Sequence, residues 1–306
     1  MSEPQVPPGT PTSGVPVCYR HTDRETYVRC ARCDRPICPD CMTTASVGFQ
    51  CPECVAEGWA GQRPVRTVFG GRVQQRPALV TATLIGICVA VYALQVAVPT
   101  FTARFWLLGT EVAGGQTYRL VTAAFLHGGV THLLFNMWAL WIFGQAVESH
   151  LGRARFLTVY LVSLVAGTTA SYLFNAPDNP SLGASGAIYG IVGAMIVLSR
   201  RMRLPLGWLV GFVAINFVFT LAVPNVDWHA HLGGLVGGGL VTAALVYAPP
   251  AQRVLAWALS TVVLVAALGV AVAWRTQQIR EIPKYAALYQ QGWDGELQGP
   301  NPKVFP

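Results

Sequence analysis

From residue 78 to residue 273 the chain is one apolar run after another, broken only by short polar joints. A run of about 20 apolar residues is the length that crosses the hydrocarbon layer as a helix. Inside that layer every backbone polar group must be satisfied within the chain, which leaves helices or closed barrels. Seven candidate spans follow: 78–98, 131–149, 155–174, 185–199, 205–223, 229–248 and 254–273. The fourth is short and opens at a Gly-rich turn. Hydrophobic residues make up 53% of the chain and charged residues 11%, with a mean hydropathy of +0.43. A soluble domain carries about 25% charged residues, so the composition excludes a disordered chain and argues against an ordinary soluble enzyme. The expectation is an all-α membrane protein.

The segments on either side differ in kind. Residues 1–17 (MSEPQVPPGTPTSGVPV) lack an apolar core and read as a disordered leader, not a signal peptide. Residues 18–55 hold seven of the eight cysteines, 56–77 read as a linker, and 274–306 read as a polar tail rich in Pro, Gln and Gly. Between them, 78–248 would hold six spans and 249–273 the seventh. Of the 21 basic residues, 19 are Arg, and many stand at the edges of apolar runs. With the N-terminus inside, the inner segments carry Arg63, Arg66, Arg72, Arg76, Arg153, Arg155, Arg200, Arg201, Arg203 and Arg253. The short outer loops carry only Arg104 and Arg119. Positive residues favour the cytoplasmic side, so the N-terminus is expected in the cytoplasm and the C-terminus outside. Arg275, Arg280 and Lys284 beyond the last span weaken that contrast without reversing it. This placement also explains the net charge of +7 without nucleic acid as a partner. The outer connection 99–130 is long and partly amphipathic, and reads as a structured loop in the outer leaflet. The composition resembles that of a GC-rich bacterium, so a bacterial plasma membrane is the expected location.

Polar residues inside a span are costly and tend to carry function. Span two opens with His132 and Asn136, span four with Ser185, and span six with His231. These three spans run in the same direction, so all four residues lie within about 10 Å of the outer helix ends at 1.5 Å rise per residue. The chemistry suits acyl transfer. A serine hydroxyl needs a base to take its proton, and histidine is the usual base near neutral pH. His132 and Asn136 share a helix face and can both donate to an oxyanion. The Ser185 N–H stands at a helix start, where amides are unpaired. Gly183 and Gly186 permit a sharp turn and close approach. Tyr189, one turn on, is placed to pack against His231.

The GASG stretch with Tyr189, the HLLFN stretch at 132–136 and AHLGGLVGG at 230–238 together resemble the signature motifs of rhomboid intramembrane serine proteases. Tyr118–Arg119, His127 and Glu148 fit the same pattern, which covers about 118–240. The resemblance implies a rhomboid-like six-helix bundle plus one C-terminal helix. It further implies Ser185 as nucleophile, His231 as general base, and an oxyanion hole of His132, Asn136 and the Ser185 amide. Gly183 would complete the nucleophile loop, and Gly234 and Gly238 would let span six pack closely on span four. Tyr118 stands where the family more often has Trp. His229 adds a second histidine, and the two face apart by about 200° in a helix; the Ala-His-x-x-Gly-x-x-x-Gly spacing selects His231. Asp227 invites a triad reading, but a Ser–His dyad suffices in this family. Arg119 and Glu148 read as structural, His127 as a donor or water-holding residue, and Trp106, Trp138 and Trp141 as packing or interface anchors.

The head carries Cys18-x2-His21, Cys30-x2-Cys33, Cys38-x2-Cys41 and Cys51-x2-Cys54. Eight ligands in four knuckle pairs at this spacing point to two structural Zn2+ ions, and a cytoplasmic head would keep its thiols reduced. The spacing resembles a B-box-type zinc finger. A cross-brace would join Cys18, His21, Cys38 and Cys41 on one ion and Cys30, Cys33, Cys51 and Cys54 on the other; sequential pairing is the alternative. All eight ligands are then used, leaving no open position for catalysis. Cys88, in the first span, reads as packing. Expected partners are transmembrane protein substrates, the bilayer, and a cytoplasmic protein bound by the head. A non-catalytic membrane adaptor is the alternative function; pseudoproteases usually lose the catalytic pair, and here both residues stand. A RING-like ubiquitin-ligase role is the weakest reading.

Overall fold

The computed structural model describes residues 14–60, 66–71, 78–222 and 226–290. Most of the expected leader, Arg63, Arg72 and Arg76, and the last part of the tail lie outside the described residues. The chain divides into two compact units, one within residues 1–64 and one within 65–306.

The head is built around its cysteines. A short hairpin pairs β1 (Thr43–Thr44) with β2 (Phe49–Gln50), and α1 (Pro52–Ala60) follows. α1 carries helix five residues past the expected boundary at 55. Ile37 is fully buried among the cysteines, and the Thr26 hydroxyl donates to its carbonyl at 2.8 Å. With so little apolar core, a unit of this size needs a staple.

Among the described residues the second unit is built mainly of helices. Its long members are α2 (Leu79–Ala97), α6 (Val130–Leu151), α7 (Arg153–Phe174), α8 (Ser185–Arg201), α9 (Gly207–Ala222), α10 (Trp228–Tyr247) and α11 (Arg253–Glu281). A helix stands at each of the seven positions expected to span, with ends shifted by a few residues except at α11. Five of them, α2, α6, α7, α10 and α11, are long and apolar enough to cross a membrane by length and composition. The chain is therefore an all-α membrane protein. α8 has 17 residues, about 26 Å at 1.5 Å each, and is largely buried, as a short helix inside the bundle must be.

α10 packs against both α7 and α8, which also meet each other, and small residues set the spacing. A β-carbon on Gly234 would stand 1.9 Å from the Gly186 carbonyl oxygen, and one on Gly238 would stand 2.2 Å from that of Gly190. No side chain fits there, so the backbones meet directly. Leu140, Val147, Phe156, Tyr160, Ile191 and Leu245 fill the core around this contact, all fully buried. Glu148 joins α6 to α2: its carboxylate accepts the Val80 and Thr81 N–H groups at 3.0 and 2.9 Å and the Thr81 hydroxyl at 2.8 Å. Those amides are the otherwise unpaired donors of a helix start. The expectation that Glu148 is structural agrees with these bonds.

The long connection after α2 is structured. It contains α3 (Phe101–Phe105), α4 (Gly109–Ala113), α5 (Arg119–Thr122) and a 3-10 turn at Ala123–Phe125. Arg119, 4% exposed, pins it by donating to the carbonyls of Ala103 and Trp106 at 2.9 and 3.0 Å, with Glu111 3.9 Å away.

Two expected boundaries change. The stretch read as a linker includes a tight turn at 67–71 whose Phe69 is buried in the bundle core. Arg155, Arg253 and Arg66 donate to the carbonyls of Phe69, Val68 and Gly70. The stretch read as a polar tail begins as helix: α11 continues eight residues past 273, and α12 (Pro283–Gln290) follows. Thr276, Ile279 and Arg280 continue one helix face that docks on the protein, and Pro283 at the first position restarts the helix.

Candidate active site

The loop that leads into α8 is tied down by backbone hydrogen bonds. The N–H of Gly183 donates to the Ala123 carbonyl at 3.0 Å, and Leu107 and Ser181 exchange two backbone bonds of 2.9 Å. Gly183 has φ +130°, a conformation that side chains rarely adopt. That turn delivers Ser185 as the first residue of α8.

The Ser185 Oγ lies 2.8 Å from His231 Nε2. His231 is 6% exposed, and its ring stacks on that of Tyr189 with centroids 4.2 Å apart and planes 8° from parallel. Its Nδ1 lies 3.3 Å from the Thr220 Oγ1. The imidazole is thus held by a hydroxyl at each nitrogen and by a ring on one face. Thr220 carries no motif, and sequence reasoning missed it; only its place in a span packed on α10 could have drawn notice.

His132 stands across the loop. Its Nδ1 accepts the Gly128 N–H at 3.2 Å, which assigns the ring proton to Nε2. A β-carbon on Gly183 would lie 3.0 Å from that Nε2. The Asn136 amide spends one hydrogen on the His132 carbonyl at 2.9 Å and keeps a second. Ser185, His231, His132, Asn136, Gly183, Gly186 and Tyr189 all line one cavity of 580 Å³. Phe135 and Trp138 of α6 and Phe212 and Ile215 of α9 form another wall. Trp138, expected as a packing anchor, is part of that wall. Gly234 and Gly238 lie outside the cavity and act in the α8–α10 contact.

The remaining polar residues sort by their partners. Asp227 caps α10, accepting the Ala230 N–H at 3.1 Å, and also accepts the Ser181 hydroxyl at 2.7 Å. The position of His231 Nδ1 that a triad acid would fill is taken by Thr220. His229 turns away, with Nδ1 2.8 Å from the Asn175 Oδ1. His127 is buried edge-on to His132, ring centroids 5.3 Å apart, and Gln95 brackets its backbone with bonds of 2.9 and 3.1 Å. Gln95 was not singled out from sequence.

In the head, one ligand atom each from Cys18, His21, Cys38 and Cys41 lie within 4.8 Å of one another, and those of Cys30, Cys33, Cys51 and Cys54 do likewise. Of the two pairings left open by the spacing, this is the cross-brace. His21 Nδ1 is 3.3 Å from Cys38 Sγ and 3.4 Å from Cys41 Sγ, and Cys33 and Cys51 Sγ are 3.7 Å apart. Tetrahedral zinc at 2.3 Å from each sulfur requires sulfurs about 3.8 Å apart, so both tetrads fit a metal ion of that geometry.

Comparison with known proteins places these motifs in context. A family model described as Rhomboid domain matches residues 114–248. The chain is 38% identical over 192 residues to rhomboid protease GluP of Bacillus subtilis (strain 168), covering 59% of this chain and 37% of that protein. It is 36% identical over 136 residues to the rhomboid-type protein YdcA of the same bacterium, covering 43% of this chain and 68% of YdcA. It is 38% identical over 135 residues to RHOMBOID-like protein 6, mitochondrial, of Arabidopsis thaliana, covering 42% of this chain and 43% of that protein.

Proposed function

This chain belongs to the rhomboid family, and on that premise we propose that it is an intramembrane serine endopeptidase with Ser185 as nucleophile and His231 as base. The observation that carries the reading is the 2.8 Å hydrogen bond between Ser185 Oγ and His231 Nε2 inside a cavity that also holds His132 and Asn136. His231 takes the hydroxyl proton as Oγ attacks the scissile carbonyl carbon. The negative charge that develops on the carbonyl oxygen meets the His132 Nε2–H, the second Asn136 amide hydrogen and the Ser185 N–H. Donors fixed in place before the reaction are the largest single source of such catalysis. The C–N bond then breaks, and His231 returns the proton to the leaving amine. Water, activated by the same imidazole, releases the acyl group from Ser185.

A helical substrate hides its scissile carbonyl in its own hydrogen bonds, so spanning segments weakened by Gly, Pro or Ser are the class of substrate. Cleavage falls near the outer leaflet of a bacterial plasma membrane, with the N-terminus in the cytoplasm. The metal of the head is Zn2+, two ions held by the tetrads above. Zinc there supplies folding free energy; the chemistry at Ser185 belongs to the bundle alone. The head then serves as a cytoplasmic binding module for a protein partner.

The test is cleavage of a spanning substrate by purified full-length protein in liposomes. Wild type cuts and Ser185→Ala does not. Equal cleavage by the two would overturn the assignment of the nucleophile.

A further inference from the structure

We propose that the C-terminal hook, made of the outer end of α11 and all of α12, is a positioning element that holds the loops carrying Ser185; this rests on the peptidase reading above. α11 has 29 residues, about 43 Å at 1.5 Å each, while the hydrocarbon layer is about 30 Å thick. Its end therefore projects beyond the layer, and α12 turns back over the bundle.

The hook grips two loop segments. On the first, Arg280 Nε donates to the Ala113 carbonyl at 2.7 Å and the Tyr289 hydroxyl donates to the Thr110 carbonyl at 3.0 Å. Ile279 and Tyr285 are buried in one apolar cluster with Leu107, Val112, Leu120 and Ala123. On the second, Lys284 Nζ lies 2.6 Å from Asp178 Oδ2, and that bond holds the Asp178 carboxyl below the usual carboxylate range. Tyr172, at the end of α7, shares a 2.8 Å bond with Thr276.

The two gripped segments are the ones that place the nucleophile. Thr110 N–H donates to the Pro177 carbonyl at 3.0 Å, Leu107 pairs with Ser181, and the Ala123 carbonyl receives the Gly183 N–H. Two residues later the chain reaches Ser185. Among the described residues no hook residue lines the cavity, so the hook acts through these loops and not on substrate. A bundle needs no such contacts to close its core, because α7, α8 and α10 already pack backbone to backbone.

The experiment uses the full chain in detergent micelles. It compares wild type, the double variant Arg280→Ala with Tyr289→Phe, the milder Lys284→Ala, and the conservative Arg280→Lys. Amide exchange is read at 107–123 and 177–183, with α8 and α10 as the fold control. Cleavage is resolved into kcat and KM. In the double variant, exchange in the two segments rises about tenfold while α8 and α10 hold. At the same time kcat falls about tenfold with KM little changed. Lys284→Ala shifts the 177–183 segment alone, and Arg280→Lys stays near wild type. Unchanged exchange in the two segments overturns the proposal. So does raised exchange with kcat unchanged, since the hook would then be structural only. A wild type that cuts nothing removes the peptidase reading, and the exchange result then decides whether the hook braces the loops.

Discussion

Gly183 leaves no room for a side chain beside His132: a β-carbon there would stand 2.9 Å from His132 Cε1. The same residue holds φ +130°. Gly183→Ala therefore meets strain from its backbone and a clash with His132, the proposed oxyanion-hole donor. Such strain costs of order 1–3 kcal/mol, and the loop or the imidazole must shift to relieve it. A displacement of this kind near the chemistry costs about 100-fold in rate. The expected result is a loss of that order in kcat/KM with the variant still folded by circular dichroism. Activity equal to wild type would contradict the oxyanion hole proposed above.

Thr220 holds the far side of the proposed general base, 3.3 Å from His231 Nδ1. Thr220→Val keeps the shape and removes the hydroxyl. A net hydrogen bond is worth about 0.5–1.5 kcal/mol, so kcat should fall up to about tenfold, with Thr220→Ser close to wild type. Equal loss in both variants would mean that packing, not the hydroxyl, orients the ring.

Glu148 is a stability residue, far from the cavity and bonded three times to the start of α2. Glu148→Gln turns one acceptor into a donor facing donors. Leaving a buried group unsatisfied costs about 1–3 kcal/mol. Thermal unfolding should occur at lower temperature, with kcat/KM well below the melting range near that of wild type. An unchanged unfolding temperature would contradict the capping role.

The head should depend on its metal. Protein purified without chelator is expected to release two equivalents of zinc on denaturation. A strong chelator should abolish protection from exchange across 18–60, because metal binding and folding are one equilibrium in a unit with so little core. Retention of structure in 18–60 after complete metal removal would contradict this.

The helices and the gathering of the candidate site residues in one cavity were legible for the same physical reason. A residue such as His231 or Asn136 is costly in an apolar span, so its presence there already marks a task. The glycines at 234 and 238 announce a close helix contact, and the contact is there. Other features lacked such a signal. Thr220 is one hydroxyl in an apolar helix, and its value comes from a neighbour distant in sequence. Phe69 was hidden by the Arg and Gly around it, since the burial of one aromatic in a short turn has no periodicity. The hook was missed because Thr276, Ile279, Arg280 and Tyr289 alternate with polar residues that read as solvated. Their partners are loop carbonyls of Ala113 and Thr110, which no side-chain pattern reveals.

Covalent labelling of the nucleophile tests the central claim most directly. Full-length protein is treated with a fluorophosphonate probe, and the adduct is located by peptide mass spectrometry. The account predicts one adduct on Ser185, none in Ser185→Ala, and labelling slowed by about 10²–10⁴-fold in His231→Ala, the range that a general base supplies. Folded protein that never labels at Ser185, or His231→Ala labelled as fast as wild type, would contradict it.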